Sequence, residues 1–335
     1  MATRCCGVTT TAGLVGLEVV AVLAAQRSWS LVTDITIPTD ERLKLSRDRK
    51  VSPIGYDGGM MTRQSRNGKP GRQVPRGMVA KMQNSFGIPA GTSCPGKTSF
   101  CLSCYADNSE TYFPNVGKAM RHNWAMLEKY YAEHGMAGYI ALLREAMGRF
   151  RRSFDYQGLP EEQRIFRIHW DGDFFSMQYA AAWTQIIHEN PDVKYWAYTR
   201  SFGEPLNVLP ALRHHPNLAL YLSIDAENHA AAVDAVAAEP WVRQALCATD
   251  YRSARALHIP RPDGQRTVAC PENALEVPLM SDDGVGACVA CGLCVRGRRD
   301  ILFSTSHVED VLYGQTMFDW PEPEPTPVTI GPRRG

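Results

Sequence analysis

Residues 165–200, IFRIHWDGDFFSMQYAAAWTQIIHENPDVKYWAYTR, contain a pattern that decides the fold. The run IFRIHW (165–170) predicts a strand, residues 177–189 place apolar side chains at helical spacing, and YWAYT (195–199) predicts a second strand. A strand, a helix and another strand in succession are typical of a βαβ unit, whose two strands run parallel. The sequence therefore predicts an α/β fold built on a parallel sheet.

The same alternation extends outward from this unit. Further strands are predicted at 218–224 and 243–248, a helix at 227–238 and a short helix at 207–214. Upstream, residues 115–152 predict two helices with Gly138 near their junction. We expect four segments: an N-terminal extension with a basic arm (1–83), the α/β unit (84–265), a cysteine-rich segment (266–312) and a Pro-rich tail (313–335).

Charge and composition limit the partners. The chain has 335 residues and a net charge of +1, so nothing global favours a nucleic acid or a membrane. Residues 42–81, however, hold eleven Lys or Arg against two Asp, in a Gly- and Pro-rich context that predicts a loop or extended arm. This arm is either a solvated segment or a contact for nucleic-acid phosphates.

Near the N-terminus, residues 12–25 are apolar but include Glu18 and are too short for a membrane helix. We infer no targeting signal and expect a cytoplasmic protein with no membrane partner.

Ten cysteines are unusual in a chain of this length, and seven of them form two tight groups. Spacings of two residues are too short for ordinary disulfides and suit metal ligation in a reducing compartment. The other three stand apart: Cys5, Cys6 and Cys247.

The first cysteine group is C-x6-C-x2-C and consists of Cys94, Cys101 and Cys104. Three thiolates can bind three irons of a [4Fe–4S] cluster and leave the fourth iron free for a cofactor or substrate. Two alternatives stay open at this point. One is a zinc site with His122 or His169 as the fourth ligand, and the other is a set of plain buried thiols.

A second motif overlaps this group. Residues 91–98, GTSCPGKT, match the phosphate-binding pattern G-x-x-x-x-G-K-[ST], and LYLSID (220–225) resembles the acidic strand that such proteins need. That loop requires a strand before it and a helix directly after it. Gly87 and Pro89 predict no strand, and two more cysteines follow, so a nucleotide-binding loop is the less favoured interpretation.

The second cysteine group joins the C-x2-C-x2-C run of Cys288, Cys291 and Cys294 to a remote Cys270, which precedes a proline. Bacterial ferredoxins bind clusters with a similar arrangement. Four cysteines can ligate a [4Fe–4S] cluster fully, and a four-cysteine zinc ribbon is the alternative. Ribbons usually present two C-x2-C pairs, so the three-cysteine run favours iron.

Polar residues follow three of the predicted strands: 169–173 (HWDGD), 199–201 (TRS) and 223–225 (SID). Because the carboxyl ends of parallel strands meet at one edge of a sheet, we expect a shared site there. Helix capping by Asp173 or Ser176 is the simpler explanation for one of these clusters.

Residues 84–106, NSFGIPAGTSCPGKTSFCLSCYA, resemble the signature of the phage and actinobacterial "gene product 88" family. Their C-x6-C-x2-C-Tyr-Ala also resembles the phage "gene product 37/68" family, which is similar to radical S-adenosylmethionine (SAM) enzymes. The resemblance covers residues 84–106 closely and residues 164–225 in pattern only. Most radical SAM enzymes space these cysteines as C-x3-C-x2-C, so this spacing differs.

The resemblance implies a partial (β/α) barrel of radical SAM type over residues 84–265, with an auxiliary cluster in the C-terminal segment. It implies an enzyme that cleaves SAM reductively, giving a deoxyadenosyl radical that abstracts hydrogen from a substrate, and an electron-donor protein as partner. Cys94, Cys101 and Cys104 would hold the first cluster. The implied SAM contacts are Asp171, Gly172, Asp173, Arg200, Ser223 and Asp225. The alternative function is a non-catalytic zinc- or cluster-binding protein that holds nucleic acid through residues 42–81.

Overall fold

The structure is a computed structural model that describes residues 35–63, 72–79, 82–156, 158–262, 264, 266–280 and 284–305. The expectations for residues 12–25 and for the Pro-rich tail lie outside these ranges. Among the described residues, no helix is both long enough and apolar enough to span a membrane.

The strands are β1 Ile54–Arg63, β2 Arg72–Val79, β3 Ser85–Gly87, β4 Ile165–Asp171, β5 Lys194–Thr199, β6 Phe202–Gly203, β7 Leu206–Asn207, β8 Leu218–Ile224, β9 Arg243–Ala248, β10 Val268–Ala269 and β11 Ile301–Ser304. The helices are α1 Tyr105–Tyr112, α2 Pro114–His134, α3 Met136–Tyr156, α4 Met177–Glu189, α5 His229–Ala238, α6 Tyr251–Ala256 and α7 Ala287–Cys291. Short 3-10 helices cover Arg49–Val51, Ser99–Ser103 and Glu161–Gln163.

One seven-stranded sheet organises the described chain, in the order β10-β11-β9-β8-β5-β4-β3. Every neighbouring pair in it is parallel. From β3 to β9 the strands are neighbours in the order in which they occur along the chain. Parallel neighbours require crossover connections, and α3, α4 and α5 lie in those connections. The α/β class with a parallel sheet is confirmed.

The two faces of the sheet pack against different parts of the chain, because side chains along a strand alternate between the faces. On one face, Phe166, Ala197 and Leu220 pack with the helices in the main core. On the other face, here called the inner face, Ile165, Trp196 and Tyr221 pack with Cys270, Cys294 and Val295. The second cysteine group therefore covers one face of the sheet, and the helices cover the other.

Two parts of the predicted organisation are wrong. Residues 207–214 do not form a helix, since the chain there makes the small antiparallel pair β6–β7 followed by turns. Residues 42–81, predicted as a loop or extended arm, contain an antiparallel pair, β1–β2. The short strand β3 lies ahead of Gly91, where no strand was predicted. The glycines of the DGG stretch (57–59) suggested a loop, but the register of β1 shifts between Tyr56 and Met60, and such an irregularity accommodates residues with weak strand propensity.

The two predicted helices at 115–152 are confirmed as α2 and α3. They meet at Gly135, whose φ of 61° lies in the left-handed region that favours glycine. Gly138, the predicted junction, instead packs against the backbone of Tyr130 in the preceding helix.

Candidate metal centres

The first cysteine group lies in the connection between β3 and α1. Cys101 is in the 3-10 helix Ser99–Ser103, and Cys104 immediately precedes α1. Burial raises the pKa of the Cys94 thiol to about 12, with Asp173 and Cys104 adding to the effect. The pKa of Cys104 is raised by burial, and both Asp171 and Cys101 raise it further. The Cys104 thiol therefore lies within electrostatic range of both Cys94 and Cys101, and the group lies near the Asp171–Asp173 turn.

Two glycines bring this loop against the ends of the strands. A Cβ on Gly96 would collide with the carbonyl oxygen of Arg200, directly after β5. Gly172, after β4, has φ of +81°, and a Cβ there would collide with Ser93 and Ile88. Only glycine permits both approaches, so the loop that carries the cysteines sits on the carboxyl ends of β4 and β5.

A polar network fastens the second half of the loop. Thr98 Oγ1 donates to Asp225 Oδ2 (2.6 Å), and Arg200 Nη1 donates to the same carboxylate and to Thr98 Oγ1 (3.2 Å). The Arg200 guanidinium also lies 5.5 Å from the centroid of the Phe100 ring. Thr98 Oγ1 is 3.9 Å from Cys101 Sγ. Arg200 and Asp225, from two different strand ends, thus meet beside one of the cysteines.

Asp225 is held ionised by this network. Burial raises its pKa, but the Thr98 hydrogen bond and the Arg200 charge outweigh that effect and lower the pKa below its ordinary value. The adjacent Glu227 accepts from both the amide (2.8 Å) and the hydroxyl (2.7 Å) of Ser99, which fixes the start of the 3-10 helix.

The two aspartates after β4 differ sharply. Asp173 accepts hydrogen bonds from the Thr199 hydroxyl (2.7 Å), the Phe174 amide (2.6 Å) and the Arg200 amide (2.7 Å). Its pKa is raised by burial to about 6, less than burial alone would give, because these hydrogen bonds favour the carboxylate. Asp173 therefore joins the ends of β4 and β5, and Ser176, not Asp173, caps α4 by accepting from the Tyr179 amide (3.1 Å).

Asp171 is 1% exposed and faces Glu110 of α1. Burial and the neighbouring Glu110 carboxyl raise its pKa well above the ordinary range. Asp171 is therefore a buried carboxyl near Cys104. Unlike Asp173, it does not link the ends of β4 and β5 through hydrogen bonds.

Ser223 is on the inner face of β8, because Ala219 and Tyr221 of the same strand face that side and alternation places Ser223 with them. Its carbonyl oxygen accepts from Asn228 Nδ2 (3.0 Å). The structure therefore gathers the loop cysteines at the strand ends together with five predicted contacts: Asp171, Gly172, Asp173, Arg200 and Asp225. Ser223 lies two residues before Asp225 on the same strand face.

The second cysteine group lines one small cavity of about 20 Å³, which is open in part to solvent. Its lining residues are Cys270, Pro271, Glu272, Val277, Ala287, Cys288, Cys291, Leu293, Cys294 and Ile301. Cys288 and Cys291 belong to α7, which ends at Gly292 in the left-handed conformation, φ 66°. The Cys270 amide donates to the carbonyl oxygen of Leu302 (3.0 Å), so β11 places the remote cysteine beside the other three.

The N-terminal segment closes this group from the other side. A Cβ on Gly286 would collide with the carbonyl oxygens of Arg49 and Lys50, and the Gly286 amide donates to the Ser52 carbonyl (2.9 Å). Lys50 Nζ pairs with Glu272 (2.8 Å) at the cavity wall. Lys50 and Arg167 both lower the pKa of Cys288, although burial, the largest effect, leaves it well above the ordinary value.

Sequence reasoning missed three residues of these sites: Glu110, Tyr198 and Cys247. Cys247 faces Arg200, Asp225 and Cys101. Its position two residues after the inward-facing Ala245 of β9 was a usable signal. Glu110 and Tyr198 carry no motif, and only the packing of α1 and of the cysteine-rich segment reveals them.

The histidines proposed as zinc ligands are used elsewhere. His169 is buried on the helix side, with Nε2 2.9 Å from the Tyr179 hydroxyl, and burial lowers its pKa to about 3. His122 Nε2 lies 2.9 Å from the carbonyl oxygen of Arg42. Neither supplies a fourth ligand to the first group. Within the described ranges, no three His, Cys, Asp or Glu side chains converge closely enough to form a ready-made site for a metal ion.

The overlapping phosphate-loop pattern lacks the required α-helix, since only the short 3-10 helix Ser99–Ser103 follows it directly. A short strand does precede Gly91, contrary to the prediction, but α1 begins only at Tyr105, after all three cysteines. Lys97 is exposed, and its amide donates to the Cys94 carbonyl (3.3 Å) in a turn. The segment is therefore a cysteine loop and does not lead from strand to helix as a phosphate loop does.

Comparisons with known proteins agree on one family. The family model described as "Gene product 88" matches residues 60–297. The "Gene 88 protein" of Mycobacterium phage L5 is 38% identical over 270 residues, which cover 79% of this chain and 98% of that protein. The "Gene 88 protein" of Mycobacterium phage D29 is 36% identical over 227 residues, covering 67% of this chain and 87% of that protein. No solved structure matches the chain.

Proposed function

This chain belongs to the gene product 88 family, and from the geometry of its two cysteine groups we propose that it is an iron–sulfur enzyme of radical SAM type. In this proposal the first group holds a [4Fe–4S] cluster with one open iron, and the second group holds a fully ligated auxiliary cluster. The observation that carries the proposal is the placement of both groups against a single parallel sheet, one at its carboxyl ends and the other on its inner face.

The second group fits a cluster. Four thiols from two distant parts of the chain line one small cavity. A cubane cluster needs its sulfur ligands spread around a larger body than a zinc ion does. Four thiolates also bring four negative charges, and the cations Lys50 and Arg167 lie close enough to offset part of that charge.

The first group fits a cluster with an open position. It offers three thiols, and the two histidines considered as a fourth ligand are committed elsewhere. The strands from β3 to β9 follow chain order, as the strands of a (β/α) barrel do, and the cysteine loop covers their carboxyl ends. This arrangement supports the finer assignment of a partial barrel of radical SAM type.

When bound, the cluster and SAM supply one-electron chemistry that generates a radical, and the protein positions the reactants. Asp171 supplies a carboxyl beside Cys104 for the amino group of the cofactor. Arg200 supplies a guanidinium for a carboxylate, and Asp225 keeps it oriented. Asp173, with three hydrogen bonds from the chain itself, acts as a positioning residue for the β4–β5 edge. Gly172 lets the cysteine loop reach that edge, and Ser223 is left as the candidate contact for a ribose hydroxyl.

The alternative proposal is a zinc- or cluster-binding protein that holds nucleic acid through the basic segment 42–81. Part of that basic charge is neutralised within the protein, because Arg42 pairs with Glu145 (3.1 Å) and Lys50 with Glu272. Because these pairs reduce the charge available to phosphates, we favour the enzyme, with an electron-donor protein in the cytoplasm as its partner.

Metal analysis tests the proposal. The full chain, expressed with iron and purified without oxygen, should be brown and contain about eight irons and eight labile sulfides if both groups hold cubane clusters. Dithionite reduction followed by SAM should yield methionine and 5′-deoxyadenosine. Stoichiometric zinc without iron would exclude the iron–sulfur proposal, and a full iron complement without SAM cleavage would exclude the radical SAM assignment alone.

A further inference from the structure

Three arginines follow the last cysteine of the second group closely: Arg296, Arg298 and Arg299. All three side chains are exposed to solvent. Within the part of the chain that the structure describes, no acidic side chain forms an ion pair with any of them, and residues 284–299 contain no Asp or Glu. Their three positive charges are therefore available to a partner.

A tight turn holds these arginines beside the cysteines. The amide of Gly297 donates to the carbonyl oxygen of Cys294 (2.9 Å), which turns the chain back directly after the last cysteine. The side chain of Arg296 lies over Gly292, the residue at which α7 ends, with its Nε 3.3 Å from the position that a Cβ on Gly292 would take. The charged segment is thus packed against the cysteine segment itself.

The sheet supports the same turn from its inner face. The Tyr221 hydroxyl donates to the carbonyl oxygen of Arg299 (2.9 Å), and Arg243 Nε donates to that of Gly297 (2.8 Å). Because these contacts fix the backbone of the turn on the sheet, the exposed side chains of Arg298 and Arg299 are presented on the opposite, solvent side.

Apolar side chains are exposed around α7 as well. Leu279 is 37% exposed, and its carbonyl oxygen accepts from the Ala287 amide (3.0 Å) at the start of α7. Ala290 is exposed on α7 itself, and Leu275, a few residues before Leu279, is 66% exposed. Protein interfaces typically join an apolar centre to a polar rim and are enriched in Arg. We call these exposed residues the α7 surface: Leu275, Leu279, Ala290, Arg296, Arg298 and Arg299.

The α7 surface lies close to the second centre. Cys288 and Cys291 of α7 line the cavity, whereas Ala290 of the same helix is exposed. A partner that packs on the exposed side of α7 is therefore separated from the cysteines by about the width of one helix, on the order of 10 Å.

We infer that the α7 surface docks the acidic face of the electron-donor protein, so that electrons enter through the second centre. This inference rests on the proposed iron–sulfur function. One electron leaves the reduced donor, which is oxidised, and enters the second cluster, which is reduced, and no bond forms or breaks. Clustered cations attract and orient a partner of opposite charge, and electron-transfer contacts are typically small and transient.

A nucleic acid is the other polyanion that arginines attract. Interfaces with nucleic acid are more polar and more strongly positive than those with protein. Leucines beside three arginines fit a protein interface better, so we favour an acidic protein as the occupant.

The experiment mixes anaerobic, iron-loaded full-length protein with a photoreduced flavodoxin chosen for its negative net charge. Stopped-flow absorbance follows the reduction, and the phase that belongs to the second centre is the one that Cys101→Ala retains. Its second-order rate constant should fall about tenfold between about 20 and 200 mM salt, because salt screens the attraction between the two proteins.

The test variant combines Arg296→Gln, Arg298→Gln and Arg299→Gln. It should lower the rate constant at low salt about tenfold and lose most of the salt dependence, because the steering charges are gone. Photoreduction by a neutral deazaflavin, which needs no docking, should proceed at the wild-type rate. If this variant loses iron, the pair Arg298→Gln and Arg299→Gln, which leaves Arg296 at Gly292, takes its place.

The matched control removes the same charge from the other side of the sheet, where Leu212 and Ala254 pack in the helix-side core. It combines exposed arginines beside these two residues: Arg213→Gln, Arg252→Gln and Arg255→Gln. The rate constant of the control should stay within about twofold of the wild-type value, since its charges are remote from the docking surface.

Three results would overturn the inference while iron in the second group kept the proposed function intact. One is an equal fall in the test and control variants, and another is wild-type reduction that is absent or insensitive to salt. The third is binding of a single-stranded oligonucleotide that the test variant loses while the flavodoxin reduces both proteins equally fast. A wild-type second group without iron would overturn both proposals, and metal analysis shows this first.

Discussion

The two cysteine regions are attached to the same sheet by opposite kinds of interaction. The second region packs Cys270, Cys294 and Val295 into an apolar cluster on the inner face. The first region is held by hydrogen bonds and one ion pair among Thr98, Arg200 and Asp225, and Leu102 within its cysteine motif is 90% exposed. Apolar packing therefore holds the second group on the sheet, and polar contacts hold the first.

The charged side chains around the two cysteine regions also differ. Lys50, paired with Glu272, and Arg167, paired with Asp48, flank the second group. Asp171 and Asp173 raise the pKa of the first-group thiols, and Arg200, paired with Asp225, lies near Cys101. Cations stabilise a reduced, more negative cluster, and carboxylates disfavour it. If both groups hold clusters as proposed, the two buried carboxyls beside the first group should make it gain more from a cationic ligand group.

The largest expected effect separates the regions by stability. Cys291→Ala removes a ligand from the enclosed site, so it should empty the second centre and cost more than about 4 kcal/mol of unfolding free energy, as expected when a metal is lost from a core. Cys101→Ala should abolish SAM cleavage at a smaller cost, because its loop keeps its polar attachments. Iron content and denaturant unfolding of both variants measure this. If either change removed all the iron, the two centres would not be independent.

A smaller effect tests how the first region is attached. Gly96→Ala places a methyl group against the Arg200 carbonyl and should destabilise the protein by about 3 kcal/mol, with loss of first-centre iron, because backbone cannot yield as a flexible side chain can. Gly91→Ala is the control in the same loop. Its methyl group meets open space, but its φ of +71° is unfavourable for alanine, so about 1 kcal/mol should be lost and the iron retained. Equal iron contents in the two variants would contradict close docking of the loop.

The smallest effect concerns pH. The pKa of Asp171 is raised in the folded protein, by burial and by Glu110. The protonated Asp171 therefore contributes its full stability at a pH below 3.8, the ordinary pKa of the side chain. This contribution is lost as the pH rises through the folded-state pKa. Asp171→Asn cannot ionise and should stabilise the metal-free protein at neutral pH by about 1 kcal/mol, with no gain near pH 4 and weaker SAM binding.

Asp173→Asn is the matched comparison, since an amide nitrogen would face donors that now reach a carboxylate. It should destabilise the protein across the neutral range. The unfolding temperatures of both variants, measured between pH 4 and 8, test these expectations. A loss of stability in Asp171→Asn at neutral pH would show that the ionised Asp171 carboxylate is stabilised in the folded protein.

The sequence was sufficient where a regular period or a general rule applied. The alternation of strands and helices from residue 165 to residue 199 predicted parallel strands. Because the carboxyl ends of parallel strands share one edge of a sheet, the sequence also predicted that Asp171, Arg200 and Asp225 lie at the same edge. The C-x2-C-x2-C run likewise predicted that Cys270 would join a distant group, and all four cysteines line one cavity.

The sequence was insufficient where several side chains could have formed the same hydrogen bond or ion pair. The three hydrogen bonds that occupy Asp173, and the choice of Asp225 as the partner of Arg200, follow from exact positions at neighbouring strand ends. His169 adopts φ of 57° and turns into the helix-side core, which breaks the alternation of β4. Local propensity gives no warning of such an irregularity.

The ion pair between Lys50 and Glu272 joins residues 222 positions apart, and this span constrains how the protein is made. On the ribosome, residues 46–52 emerge early, but the segment that packs on them is synthesised near the end. The surface of residues 49–52 that contacts Glu272 and Gly286 therefore stays exposed until those residues have been synthesised. Contacts of such long span form slowly because they close a large loop. The second group is complete only after residue 294 has been translated, so a chain terminated before residue 270 would lack both the group and the segment that packs on residues 46–52.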